Sequence, residues 1–167
     1  MWEGIFKSQA LLDEAAVIAC MVYVDLNPIR AKMASTPESS HHTSIQKRIN
    51  AVQTKQNQPK HLLPFVGNPR QEMPKGMAFS LKGYCELVDT TGRIIRKDKA
   101  GAIKNNQSPI LERLNIPSEH WLTLTTEFEQ HFSNAVGSEH MLRQFGEHTH
   151  HKRIRGIKQA NTLFKSA

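Results

Sequence analysis

The stretch Asp13-Glu14-Ala15-Ala16-Val17-Ile18-Ala19-Cys20-Met21-Val22-Tyr23-Val24-Asp25-Leu26-Asn27-Pro28-Ile29-Arg30 decides the fold class. Asp13 is a good N-cap, and Glu14 suits the positive end of a helix macrodipole. From Ala15 to Leu26 the residues are almost all apolar, so little of the circumference is left for water. Such a helix must be buried or lie in an interface. Asn27 precedes Pro28, which disfavours helical geometry at Asn27. Pro28 then starts a second short turn over Ile29–Met33, from which Arg30 and Lys32 emerge.

Upstream, Trp2 to Leu12 is extended in character. It reads as the end of a strand whose partners lie outside this chain, since a lone strand is marginal. Downstream, residues 34–41 are loop. Thr43 or Ser44 caps a short basic helix reaching about Val52, which carries Lys47 and Arg48. Residues 53–60 are polar and read as a linker. Residues 61–78 hold Pro64, Gly67, Pro69, Pro74 and Gly76 and should be irregular.

From Ser80 the pattern is helical again, with Leu81, Tyr84, Val88 and Ile95 near one face and Thr90-Thr91-Gly92 weakening the middle. Residues 108–115 form a short helix. Pro117 starts another, in which Trp121, Leu124, Phe128 and Phe132 make a core stripe. Gly137 ends it. A last helix from Ser138 gives way to a basic tail. The fold class is mainly α, with four expected segments: 1–52, 53–79, 80–147 and 148–167.

The chain has 167 residues, 38% of them hydrophobic and 7% aromatic, so the core should be small or divided. No run of about 18 apolar residues exists, which argues against a membrane span. The N-terminus lacks a signal-peptide pattern. Cys20 and Cys85 match no Cys-x-x-Cys motif and read as packed thiols of a reduced, cytoplasmic protein. The net charge of +7 is segregated. Residues 42–75 carry six basic and one acidic side chain, and residues 148–167 carry five basic and none acidic. Such segregation is the footprint of a polyanion binder. Solvated surface is the plain alternative.

The segment Tyr23-Val24-Asp25-Leu26-Asn27-Pro28-Ile29-Arg30-Ala31 resembles the tyrosine-helix signature of bacterial single-tyrosine (HUH-type) insertion-sequence transposases. The closest resemblance is to the REP-associated tyrosine transposase branch. Trp2-Glu3-Gly4-x-Phe6-Lys7-Ser8 is similar to the short strand preceding that helix, so the resemblance covers about residues 2–33. It implies that the N-terminal strand and helix are a remnant of a ferredoxin-like transposase domain, followed by a small helical C-terminal domain. It also implies that Tyr23 is a nucleophile, attacking a DNA phosphodiester to form a reversible phosphotyrosine.

Family members hold Mg²⁺ or Mn²⁺ with a His-hydrophobic-His pair upstream of the tyrosine, polarising the scissile phosphate. No such pair exists here: the nearest combinations are His41-His42 and His148-Thr149-His150-His151. The expectation is therefore a chain without its own metal cofactor. It would bind single-stranded or hairpin DNA but be catalytically incomplete, acting as a homodimer or beside an intact transposase. Arg30, Lys32, Lys47, Arg48, Lys152, Arg153, Arg155 and Lys158 are the expected phosphate contacts. The alternatives are a non-enzymatic helical interaction module or a decayed remnant.

Ile110–Leu124 has helix–turn–helix spacing, but its second helix carries acids and no Lys or Arg, so a plain helical hairpin is the better reading. Gly101-Ala102-Ile103-Lys104 lacks phosphate-loop spacing.

Overall fold

A computed structural model describes residues 8–67, 75–96, 108–149 and 154–164. Expectations about Trp2–Lys7, Gly101–Lys104, His150, His151, Lys152 and Arg153 fall outside those residues. The fold is mainly helical, with one two-stranded parallel sheet. No helix among the described residues is long and apolar enough to cross a membrane.

The chain forms two compact units, Met21–Arg113 and Met1–Cys20 with Leu114–Ala167. The later boundary falls at Arg113, just before the turn in which Asn115 adopts a left-handed φ of 54°.

The Met21–Arg113 unit holds the last turn of α1 (Glu14–Asp25), then α2 (Asn27–Arg30), α3 (Ser44–Gln53), α4 (Leu81–Arg96) and α5 (Pro109–Arg113). Pro28 starts α2, as its fixed φ allows. Thr43 caps α3, its hydroxyl accepting a hydrogen bond from the Gln46 N–H at 3.3 Å. Val22, Leu26, Ile29, Ile45, Phe65, Phe79, Tyr84, Leu87 and Leu111 are buried.

The expected linker does more than connect. Gln58 clamps the Phe65 backbone, donating from Nε2 to its carbonyl at 2.6 Å and accepting from its N–H at 2.9 Å. Phe65 also forms an isolated parallel bridge with Met77. The weak point expected at Thr90-Thr91-Gly92 is absent, and α4 runs through it. A Cβ on Gly92 would lie 3.1 Å from Leu26 and 3.4 Å from Ile29, so glycine here permits close packing on α2.

The second unit contains β1 (Ala10–Leu11), the first part of α1, α6 (Ser118–Thr126), α7 (Phe128–His131), β2 (Ala135–Val136), α8 (Glu139–Thr149) and α9 (Ile157–Leu163). The strand expected to lack a partner has one in this chain: Ala10 pairs with Ala135 and Leu11 with Val136, in parallel. Asp13 secures the arrangement. Its Oδ1 accepts the Ala16 N–H at 2.8 Å, capping α1, while its Oδ2 accepts the Ser138 N–H at 2.7 Å.

The aromatic stripe is buried as expected, at Trp121, Leu124, Phe128 and Phe132. The helix carrying it ends at His131, short of Gly137, and breaks at Glu127. Thr125 and Thr126 bond back to carbonyls one turn earlier, which competes with the regular ladder. Within the basic segment, Ile157–Leu163 forms α9, burying Ala160 and Leu163, with Phe164 buried just beyond. The Phe132 and Phe164 rings lie 6.0 Å apart.

Candidate functional site

Tyr23 lies in the last turn of α1 and Arg30 ends α2, with Leu26 in helical geometry between the two helices. Seven residues make about two helical turns, so Tyr23 and Arg30 face the same side. The Arg30 guanidinium sits 3.8 Å from the Tyr23 ring centroid. Its Nη1 donates to the Tyr23 carbonyl at 2.8 Å and its Nη2 to Asn27 Oδ1 at 3.3 Å. Three residues of the Tyr-x-x-x-Asn-Pro-x-Arg pattern thus form one connected cluster. Tyr23 and Arg30 are half-buried, and Asn27 is exposed.

Lys32 is exposed, in left-handed backbone with φ 57°. Lys47 is exposed, with Nζ 3.2 Å from His61 Nε2. Arg155 and Lys158 are exposed at the start of the α9 segment.

Arg48 is not a surface contact, which corrects the expectation. It is 2% exposed, because it shares the inward face of α3 with Ile45 and Ile49. Its Nη2 donates to the Leu63 carbonyl at 3.0 Å, and its guanidinium lies 4.8 Å from the Phe65 ring. Its Nε and Nη1 have no hydrogen-bond partner among the described residues.

Beside it is a polar cluster that sequence reasoning missed. Asp25 is buried and accepts hydrogen bonds from the Ser44 and Tyr84 hydroxyls, the latter at 2.6 Å. Burial pushes the Asp25 carboxyl above its usual value; the Ser44 and Tyr84 hydrogen bonds and the Arg48 charge oppose that rise. Burial, reinforced by the Asp25 charge, drives the Tyr84 phenol well above its ordinary range. The signal available in the sequence was Asp25 itself, an acid near the end of an otherwise apolar helix.

No three His, Cys, Asp or Glu side chains converge among the described residues. The Arg30 guanidinium, 3.8 Å from the Tyr23 ring centroid, repels a metal ion. The donor set therefore does not fit the divalent metal that the resemblance implies, and no step is derived through one.

Two clefts lie among the described residues. One of about 230 Å³ lies in the Met21–Arg113 unit, bordered by Phe79, Gly83, Glu86 and Arg113. The other, of about 830 Å³, lies in the second unit and includes Arg155. Comparison with protein-family models, curated proteins and solved structures finds no match to this chain.

Proposed function

We propose that the chain is a transposase-derived protein that binds single-stranded or hairpin DNA through its phosphates. In this reading its N-terminal strand and helix are a remnant of a ferredoxin-like catalytic domain. The observation that carries the proposal is the Tyr23–Asn27–Arg30 cluster: the motif residues are in mutual contact, with a guanidinium stacked on the would-be nucleophile. A guanidinium is suited to bidentate phosphate recognition, so Arg30 would hold a phosphate beside the phenol. Phenol attack on a phosphodiester needs charge neutralisation at the non-bridging oxygens. Arg30 supplies one positive charge, without the metal site of the family. The chain alone therefore binds rather than cleaves, and cleavage belongs to an intact transposase acting as partner.

The test is a gel-shift titration of a single-stranded hairpin DNA at two salt concentrations. Affinity should fall steeply between about 50 and 200 mM salt, with Arg30→Ala reducing the slope of log affinity against log salt by about 0.7. Salt-insensitive binding, or an unchanged slope in Arg30→Ala, would overturn the proposal. Incubation with Mg²⁺ or Mn²⁺ should leave no covalent DNA adduct on Tyr23, and an adduct would refute the inactivity of this chain.

A second reading, a non-enzymatic interaction module, is favoured by one observation. Val24 is 57% and Met33 83% exposed, flanking the same helix pair. Mixing with an intact transposase in sedimentation analysis would decide it.

A further inference from the structure

The cleft of about 830 Å³ in the second unit falls inside the range of about 300–1,000 Å³ typical of small-molecule sites. Its walls combine three chemistries. Phe145 supplies aromatic surface over a buried Phe132; Gln9, Ser133 and Asn134 supply amide and hydroxyl groups; Arg155 supplies a cation. The floor is fixed, because Phe132 is 3% exposed and held among the rings of Phe128 and Phe164. Gly156 lies against that floor: a Cβ there would stand 2.9 Å from Phe132. Arg155, its neighbour in sequence, lines the cleft. Among the described residues the Arg155 side chain makes no hydrogen bond or ion pair, so its donors are available to a ligand. Glu129 also lines the cleft and disfavours a ligand with several negative charges.

We propose that this cleft binds one unstacked nucleotide of single-stranded DNA. The base stacks on the half-buried Phe145 ring, its edge is hydrogen-bonded by Asn134 and Gln9, and its phosphate pairs with Arg155. A base inside a duplex cannot reach such a cleft, whereas a single-stranded one can, and stacking on aromatic rings is its usual recognition mode. The site lies apart in sequence from Tyr23 and Arg30. It extends the proposed function to a second contact with the same DNA, and it has its own test.

The probes are deoxyadenosine monophosphate, deoxyadenosine and inorganic phosphate, each titrated into the full ¹⁵N-labelled chain and followed by NMR. The nucleotide should produce saturable shifts centred on Ser133, Asn134 and Arg155. Phe145→Ala should weaken nucleotide and nucleoside alike, by about five- to hundredfold. Arg155→Ala should weaken the nucleotide by about tenfold and leave the nucleoside unchanged. Should Phe145→Ala fail to fold, Asn134→Asp serves instead; it puts a second carboxylate on an exposed wall position and should repel the nucleotide more than the nucleoside.

Three results would overturn the inference: no shifts in the cleft, an unchanged affinity in folded Phe145→Ala, or equal shifts from inorganic phosphate with none from deoxyadenosine. Arg30→Ala should bind the mononucleotide like wild type. Failure of the cleft and failure of DNA binding around Tyr23 are thereby read separately.

Discussion

Tyr84 on α4 donates its hydroxyl hydrogen to Asp25 Oδ2 at 2.6 Å, joining residues 59 positions apart in the sequence. Ser44, at the start of α3, donates to the other oxygen. One buried carboxylate therefore ties together the end of α1, the start of α3 and the first turn of α4. Tyr84→Phe keeps the stacking on Phe65, whose ring lies 4.7 Å away, and removes only the donor. A hydrogen bond to a charged buried group contributes about 1.5–3 kcal/mol, so urea unfolding should show a loss of that size. A loss near zero would mean that the hydroxyl is not bonded to a charged carboxylate.

The same carboxylate gives a pH dependence of unusual sign. Burial raises the folded-state pKa of Asp25 above its ordinary value of 3.8, against opposing contributions from Ser44, Tyr84 and Arg48. The folded state then holds the proton more tightly than the unfolded state. Stability from this group falls as pH rises from about 3.8 to the raised folded value, and is constant above it. Asp25→Asn removes that slope. The stability of the variant minus that of wild type, measured by urea melts across the window, should increase with pH. A difference that decreases with pH would show that Asp25 is held charged by its partners.

Burial also separates Arg48 from its neighbour Lys47 in function. Arg48 is 2% exposed, whereas Lys47 is exposed. Arg48→Met, close in length and apolar, should leave DNA affinity and its salt slope unchanged in gel shifts. Lys47→Ala should flatten the slope by up to about 0.7, one phosphate contact. A flatter slope in Arg48→Met, with the thermal melt intact, would return Arg48 to the DNA interface.

Arg48 also shows where sequence reading stops. Caps were legible, because Asp13 and Thr43 act on backbone groups three residues away. The stripe from Trp121 to Phe132 was legible through its periodicity. Arg48 was misplaced because charge suggests exposure, while its burial depends on Phe65 and Leu63 arriving from a segment that looked irregular. The partner of β1 was invisible because Ala135–Val136 lies some 125 residues away and is two residues long. The α9 helix was hidden by the charges around it, although Ile157, Ala160 and Leu163 recur at three-residue spacing. In the candidate site, the motif indicated Tyr23 and Arg30 together, but the Asp25–Tyr84 bond is a purely tertiary fact.

Cys85 offers a chemical check on the Met21–Arg113 unit. Burial pushes the Cys85 thiol from 9.0 up to about 11, and it raises Cys20 as well. The thiolate is the reactive form, so at pH 8 Cys85 should alkylate with iodoacetamide roughly a hundredfold more slowly than a thiol titrating near 9. Mass spectrometry of alkylated peptides with time reads the rate. Denaturation in urea should abolish the protection, and fast alkylation of the folded chain would place Cys85 in contact with solvent.

Gly156 is the most exacting position of the second unit. Its φ of 101° lies where side chains are strained, and a Cβ would meet Phe132 at 2.9 Å and the His131 carbonyl at 3.2 Å. Gly156→Ala therefore carries a conformational penalty of about 1–2 kcal/mol, plus whatever the displaced ring loses. The two contributions separate in a double-mutant cycle with Phe132→Leu, which removes the ring edge but leaves the backbone unchanged. Gly156→Ala should be more damaging in the wild-type background than in Phe132→Leu, by thermal or urea unfolding. Equal costs in both backgrounds would assign the whole effect to the backbone.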